Sequence, residues 1–247
     1  MPRTTSTLFH LAAGSVIASL WLSGCASARL EYADARHAAT GFKTGQIAIV
    51  GVLQRSGIPQ LSTSERKIVA ADFERAIGKK RKKVGVIGPE RVRSQIGNPK
   101  LQTGSGSNLL QRALSSRQIA RLKEAGSTYA LLIEVCENKT WCDVDESCDT
   151  DTEEIRDKEG NVIHCITTTT YTTSSEAHRK ITARYSLYEL ASGKNVWAVS
   201  SNHRELHSRS RSSDCHYPPP PPFPSPPSVA DVMKNMSSAA IRKLPRK

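Results

Sequence analysis

Thr128-Tyr-Ala-Leu-Leu-Ile-Glu-Val135 is apolar at odd and even positions alike. A strand with one wet face alternates, so this stretch belongs in the middle of a sheet covered on both sides. Gln46-Ile-Ala-Ile-Val-Gly-Val-Leu53 is a second β-branched strand candidate, and it runs into the turn residues Ser56, Gly57 and Pro59. Between these two the pattern turns helical. Ser62 and Glu65 stand at capping-box spacing ahead of Val69, Phe73 and Ile77, with Gly78 as the expected stop. After a short strand, Val84 to Ile87, Pro89 opens a helix carrying Val92 and Ile96 and ended by Gly97. Residues 98 to 107 are rich in Gly, Ser and Asn and read as loop, and a third helix runs from Ser116 through Ile119 and Leu122 to Gly126.

Beyond the central strand, Val162 to Thr173 alternates Thr with Ile as an exposed strand would. Ile181 to Leu190 and Val196 to Ser201 flank Ala191-Ser-Gly-Lys194, a hairpin turn. Residues 203 to 217 are basic and contain His, and Pro218 to Pro227 is expected to be polyproline II acting as a stiff spacer. Ser228 and Asp231 then cap a helix whose Val229, Val232, Met236, Ala240 and Leu244 form one apolar stripe that must dock on the sheet. The order predicts an α/β fold: a single domain with a mixed, mainly antiparallel sheet flanked by helices, carrying an acidic, Cys-containing hairpin insertion at 137–160.

The N-terminus has a different character. Leu8 to Leu22 is largely apolar, is introduced by Arg3, and is too short for a comfortable membrane span, which is the pattern of an export signal. The following Leu22-Ser-Gly-Cys25 resembles the lipobox of bacterial lipoproteins, in which the cysteine is thioether-linked to diacylglycerol and becomes the first mature residue. That resemblance implies a signal peptide over 1–24, lipid attachment at Cys25, a short tether over 25–45, and a domain over 46–247. Ala26, where Asp would retain the protein at the inner membrane, implies the outer membrane facing the periplasm.

The chain carries a net charge of +12, and removing residues 1–24 takes away Arg3 and no acid, leaving +11. In an exported protein nucleic acid is not an expected counterpart, so anionic lipid, murein or an acidic protein takes its place. Lys79 to Lys83 is expected at a helix end, where cations meet the negative end of the dipole. The charge is also uneven: Asp143 to Glu159 holds nine acids against Arg156 and Lys158, a local −7, so the rest of the mature chain carries +18.

Asp143, Asp145, Ser147, Asp151 and Glu154 fall at the donor positions of a twelve-residue calcium loop, but Cys148 stands where the sharp turn requires Gly. Besides Cys25 there are Cys136, Cys142, Cys148, Cys165 and Cys215, an odd number that an exported chain can oxidise. Cys136 with Cys165 would staple the base of the hairpin, and Cys142 with Cys148 would close its tip. Zinc is the competing use, with His164, His203, His207 and His216 near in sequence, but the cysteine spacings lack the short paired knuckles such sites use. No phosphate loop or nucleophile elbow is present, so no catalytic residue, cofactor or metal is expected.

Ala125-Gly-Ser-Thr-Tyr-Ala-Leu-Leu132, Ala183-Arg-Tyr-Ser-Leu-Tyr-Glu-Leu-Ala-Ser-Gly-Lys-Asn-Val-Trp197 and the helix ending in Leu244-Pro245 resemble the anticodon-binding-like fold of CsgG-type lipoproteins, the activator LpoB and the TolB N-terminal domain. The resemblance implies a non-enzymatic envelope lipoprotein that engages a protein partner, with its oligomeric state open. The alternatives are a CsgG-like secretion or pore component and a calcium-binding envelope protein. Cys25→Ser is expected to release the protein from membranes or stall its processing, read by fractionation. A variant that stays processed and membrane-bound would overturn the anchor.

Overall fold

The computed structural model describes residues 26–40, 42, 46–82, 84–99 and 108–245. The signal peptide, Cys25 and most of the Gly/Ser-rich loop at 98–107 lie outside the described residues. Strand β2 (Gln46–Gln54) is parallel to both β3 (Gly85–Ile87) and the start of β4 (Ser127–Arg156). With β5 (Val162–Glu189), β6 (Asn195–Ser213) and β1 (Ser27–Ala33), these make a mixed six-stranded sheet in the order β1-β6-β5-β4-β2-β3.

Parallel neighbours need crossovers, which the chain supplies as α2 (Thr63–Lys80) and then α3 (Pro89–Ile96), α4 (Leu109–Ala113) and α5 (Ser116–Glu124). The double-sided apolar runs are covered on both faces as expected. Ile47, Ile49 and Val52 of β2, with Leu131, Ile133 and Val135 of β4, join α2 and α6 (Val229–Arg242) in one core. Ala48, Val50 and Leu53, with Ala130 and Leu132, pack with α3, α4 and α5 in a second. The switch from Ile49 to Val52 on one face follows from the register shift between Ile49 and Gly51 against β4.

Local signals account for the helix ends. The Ser62 and Glu65 capping box forms, with the Glu65 N–H donating to Ser62 Oγ at 3.2 Å and the Ser62 N–H to Glu65 Oε2 at 2.7 Å. Gly78 does not stop α2, which runs to Lys80. At its end two cations of the basic run serve the carbonyl end of another helix. Arg81 Nη2 donates to the carbonyls of Ile241 (2.9 Å) and Leu244 (2.8 Å), and Lys80 Nζ to that of Ser238 (3.0 Å). The last turn of α6 is thereby satisfied by α2. The predicted stripe of Val229, Val232, Met236, Ala240 and Leu244 is buried throughout.

Three expectations are corrected. Residues 26–45 are not simply a tether: β1 pairs antiparallel with β6, from Ser27 opposite Asn202 to Ala33 opposite Trp197. The following α1 (Ala35–Thr40) is pinned by buried His37, whose Nε2 lies 3.0 Å from the Tyr129 hydroxyl and whose ring stacks on Phe42. The two strands read at 162–173 and 181–190 are one continuous β5, and the basic His-containing segment continues β6. The proline run is no free spacer: Pro221 and Pro227 are buried, and Pro227 accepts a bond of 2.6 Å from Arg179 Nε. Along the sheet the chain divides into two compact units. One comprises 142–176 and 207–224; the other comprises 22–141, 177–206 and 225–247.

Phe73 is 1% exposed and stacks on Tyr185 at 5.2 Å between α2 and the sheet. Phe73→Ala should cost about 3–5 kcal/mol, measured as a fall in the urea midpoint at unchanged slope.

Candidate interaction surface

The smaller unit is a hairpin of β4 and β5 with a third strand and the proline segment against it. Its tip is a turn in which Asp157 Oδ1 accepts from the N–H groups of Glu159 (3.0 Å) and Asn161 (2.8 Å), with Gly160 at φ +88°. These donors, led by the Asn161 side-chain amide at 3.1 Å, hold the Asp157 carboxyl below its ordinary range. Thr150 meets Thr169 and Thr152 meets Thr167, each at 3.4 Å, which fixes the antiparallel register. Ser174 meets Ser210 at 2.8 Å and Thr172 meets Ser212 at 2.9 Å across β5 and β6.

Strand alternation then separates the side chains. Thr150 and Thr152 take one face, so Asp145, Asp149, Asp151 and Glu153 stand exposed on the other. The proline segment lies against this unit through an edge contact of Tyr217 with Tyr171 (5.1 Å) and through Pro221, whose carbonyl accepts from the Ser175 hydroxyl. The Tyr217 phenol is pushed up, chiefly by its bond with Cys148. Near the tip the surface turns apolar. Ile155, Val162, Ile163 and Ile166 are between 39% and 63% exposed.

The pairing with β2 ends at Val135, so among the described residues β4 has no neighbour on its outer side from Cys136 onward. An edge this long invites pairing with other chains, and charged side chains along it oppose that.

In the larger unit, β4 and β5 carry a second polar group. Trp141 stacks on the buried His178 (4.9 Å, 16°), while Arg204 lies over the indole at 4.9 Å and reaches His178 Nδ1 at 3.1 Å. Glu137 accepts from the Thr182 hydroxyl at 2.9 Å and pairs with Lys139 and Lys180 at 3.2 Å, and these contacts, Thr182 first, hold its carboxyl low. Neither group had a sequence signal, because each exists only in the register of the two strands.

The predicted chemistry resolves differently. Cys136, Cys142, Cys148, Cys165 and Cys215 are all free, so neither disulfide is formed. Cys142 and Cys148 lie on one extended strand about 20 Å apart, far beyond disulfide reach. Cys165 is carried opposite Glu154 by the register of Thr167 with Thr152, not toward Cys136. Burial pushes the Cys136 thiol up, which makes it a poor nucleophile. The calcium loop is not a loop: Asp143 to Glu154 is β-strand, so Asp143, Asp145, Ser147 and Asp151 are strung along one face over about 27 Å while Glu154 faces the other way, and they cannot converge on one ion. Among the described residues no group of His, Cys, Asp and Glu could hold a metal. His203 is buried 3.4 Å from Asn235 and is held neutral-leaning by desolvation. Among the described residues no helix is long and apolar enough to cross a membrane.

No protein-family model and no curated protein matches the chain. Among solved structures it is similar to a PelC dodecamer from Paraburkholderia phytofirmans, at 10% identity and a TM-score of 0.40 over 90% of this chain and 99% of that one. It is also similar to the LpoB C-terminal domain from Salmonella enterica, at 12% identity and a TM-score of 0.30 over 64% and 82%. A hypothetical protein from Chlamydia trachomatis gives 15% and 0.23 over 67% and 71%. At such identities and TM-scores the likeness assigns no function to the chain. The CsgG and TolB members of the sequence resemblance rest on the sequence alone.

The lowered Asp157 carboxyl sets a pH dependence for the turn. Its contribution is complete above the ordinary carboxylate value near 4 and fades as pH falls through the lower folded value. Amide protection factors at Glu159 and Asn161, taken against intrinsic exchange at each pH, should fall in that acid range while those at Leu131 and Ile133 stay high. Uniform protection at the turn down to pH 2 would contradict it.

Proposed function

We propose that the chain is a lipid-anchored, non-enzymatic recognition module of the bacterial envelope, held at the membrane through Cys25 and meeting a protein partner with its β4–β5 hairpin. The observation that carries this is the hairpin itself: a strand edge with no neighbour among the described residues, a face of carboxylates opposite in charge to the rest of the chain, and an exposed apolar tip. Binding surfaces favour exposed strand edges and turns, and an apolar patch rimmed by charge is their usual composition. The lipobox-like Leu22 to Cys25 supports the anchor, and two or more acyl chains make attachment effectively permanent. A pore-forming role has no comparable support, since the hairpin is too acidic to face lipid.

The test follows the register. Cys148 and Tyr171 face one another, so residues 149–170 can be replaced by Asn-Gly, which keeps the Thr172–Ser212 and Ser174–Ser210 contacts. This removes the apolar tip and six of the nine acids. The shortened protein should keep its near-UV circular dichroism and lose the partners that crosslinking captures with the lipidated parent in intact cells. Retention of every partner would move the binding surface off the hairpin.

A further inference from the structure

Two basic cavities lie around α3 and α5. One, of about 430 Å³, has Arg66, Lys67 and Arg93 in its wall, and the last two share Glu90 at 3.6 and 3.3 Å. The other, of about 560 Å³, is lined by Asn98, Arg112, Ser115, Arg117, Gln118 and Arg121, among others, with no acid in its wall. Arg117 and Arg121 are exposed, lie one helical turn apart on α5, and form no ion pair among the described residues. Such a cavity is built for an anion with at least two negative groups at a fixed spacing.

The hairpin carries that anion. Asp149 and Asp151 are exposed on one face of β4, two residues apart, which places them about 6.8 Å from each other. Arg117 and Arg121 stand about 6 Å apart at i and i+4, so two carboxylate–guanidinium pairs can form without strain. A symmetric contact of two hairpin edges would set acid against acid, so the charge distribution disfavours it and favours a head-to-tail one.

We propose that the arginine-lined cavity between α3 and α5 receives the acidic strand of the hairpin of a second copy of this chain. Arg117 and Arg121 pair with its Asp149 and Asp151. The contact is heterologous, so copies joined this way close into a ring or extend as a filament. This assignment rests on the hairpin being the binding surface and names its partner.

The test is a charge exchange in the mature lipidated protein in detergent, followed by sedimentation velocity at 50 and 500 mM NaCl. The parent should associate at low salt and dissociate at high salt. Arg117→Glu with Arg121→Glu, and separately Asp149→Arg with Asp151→Arg, should each weaken association tenfold or more. The four substitutions together in one chain should restore it. Arg117→Gln with Arg121→Gln gives a milder version, and unchanged circular dichroism shows that each variant is folded. A parent that is monomeric at both salts, association indifferent to salt, or a fourfold variant that stays monomeric would each overturn the proposal. If the parent is monomeric but the hairpin still captures another envelope protein in cells, the second copy is excluded while the hairpin remains the binding surface.

Discussion

The parallel pairing of β2 with the first nine residues of β4 is the constraint on which the rest of the fold depends. A parallel pair cannot be closed by a tight turn, so the chain between them must cross over as helix. Because both strands are apolar on both faces, water must be kept from each side. The helices therefore divide, with α2 and α6 over one face and α3, α4 and α5 over the other. The cap given to α6 by Arg81 and Lys80 ties the last helix of the chain to the first crossover, which gives two cations of the basic run a folding role.

The same pairing shapes the hairpin by ending where it does. β2 stops at Gln54 and β4 continues to Arg156, so past Val135 the strand has no neighbour on one side among the described residues and becomes an edge. An unpaired edge of that length is an aggregation hazard unless it is made polar, and the acids along it meet that need. Protection and recognition are compatible here. Carboxylates that repel a second edge attract a basic surface, and such attraction contributes more to selectivity and association rate than to raw affinity.

The chain's thiols and imidazoles illustrate how a compartment argument can outrun geometry. Export would make oxidation possible, but bonding requires Cα atoms within about 7 Å, and strands that hold their cysteines six residues apart or in mismatched register cannot meet it. The calcium pattern failed for a related reason. Its donor spacing presupposes a compact loop, and Thr and Val interleaved with the acids favour extended strand instead.

Periodicity alone was enough to place the central strand at 128–135, the helices from Ser62, Pro89 and Ser116, the buried stripe of the last helix, and hence an α/β sheet with helices on both faces. These are local properties, set by which side chains must leave water and by caps within three residues of one another. What lay beyond the sequence was set by partners distant along the chain. Ser27 to Ala33 has no strong strand pattern and becomes a strand because β6 offers it an edge. The proline run is held in place because Ser175 and Arg179 donate to its carbonyls. The Trp141–His178–Arg204 stack and the arginine-lined cavity of α3 and α5 bring together residues whose separate positions carry no motif. Local sequence determined what each segment would bury, while strand register and edge availability, which exist only after collapse, decided what each segment would meet.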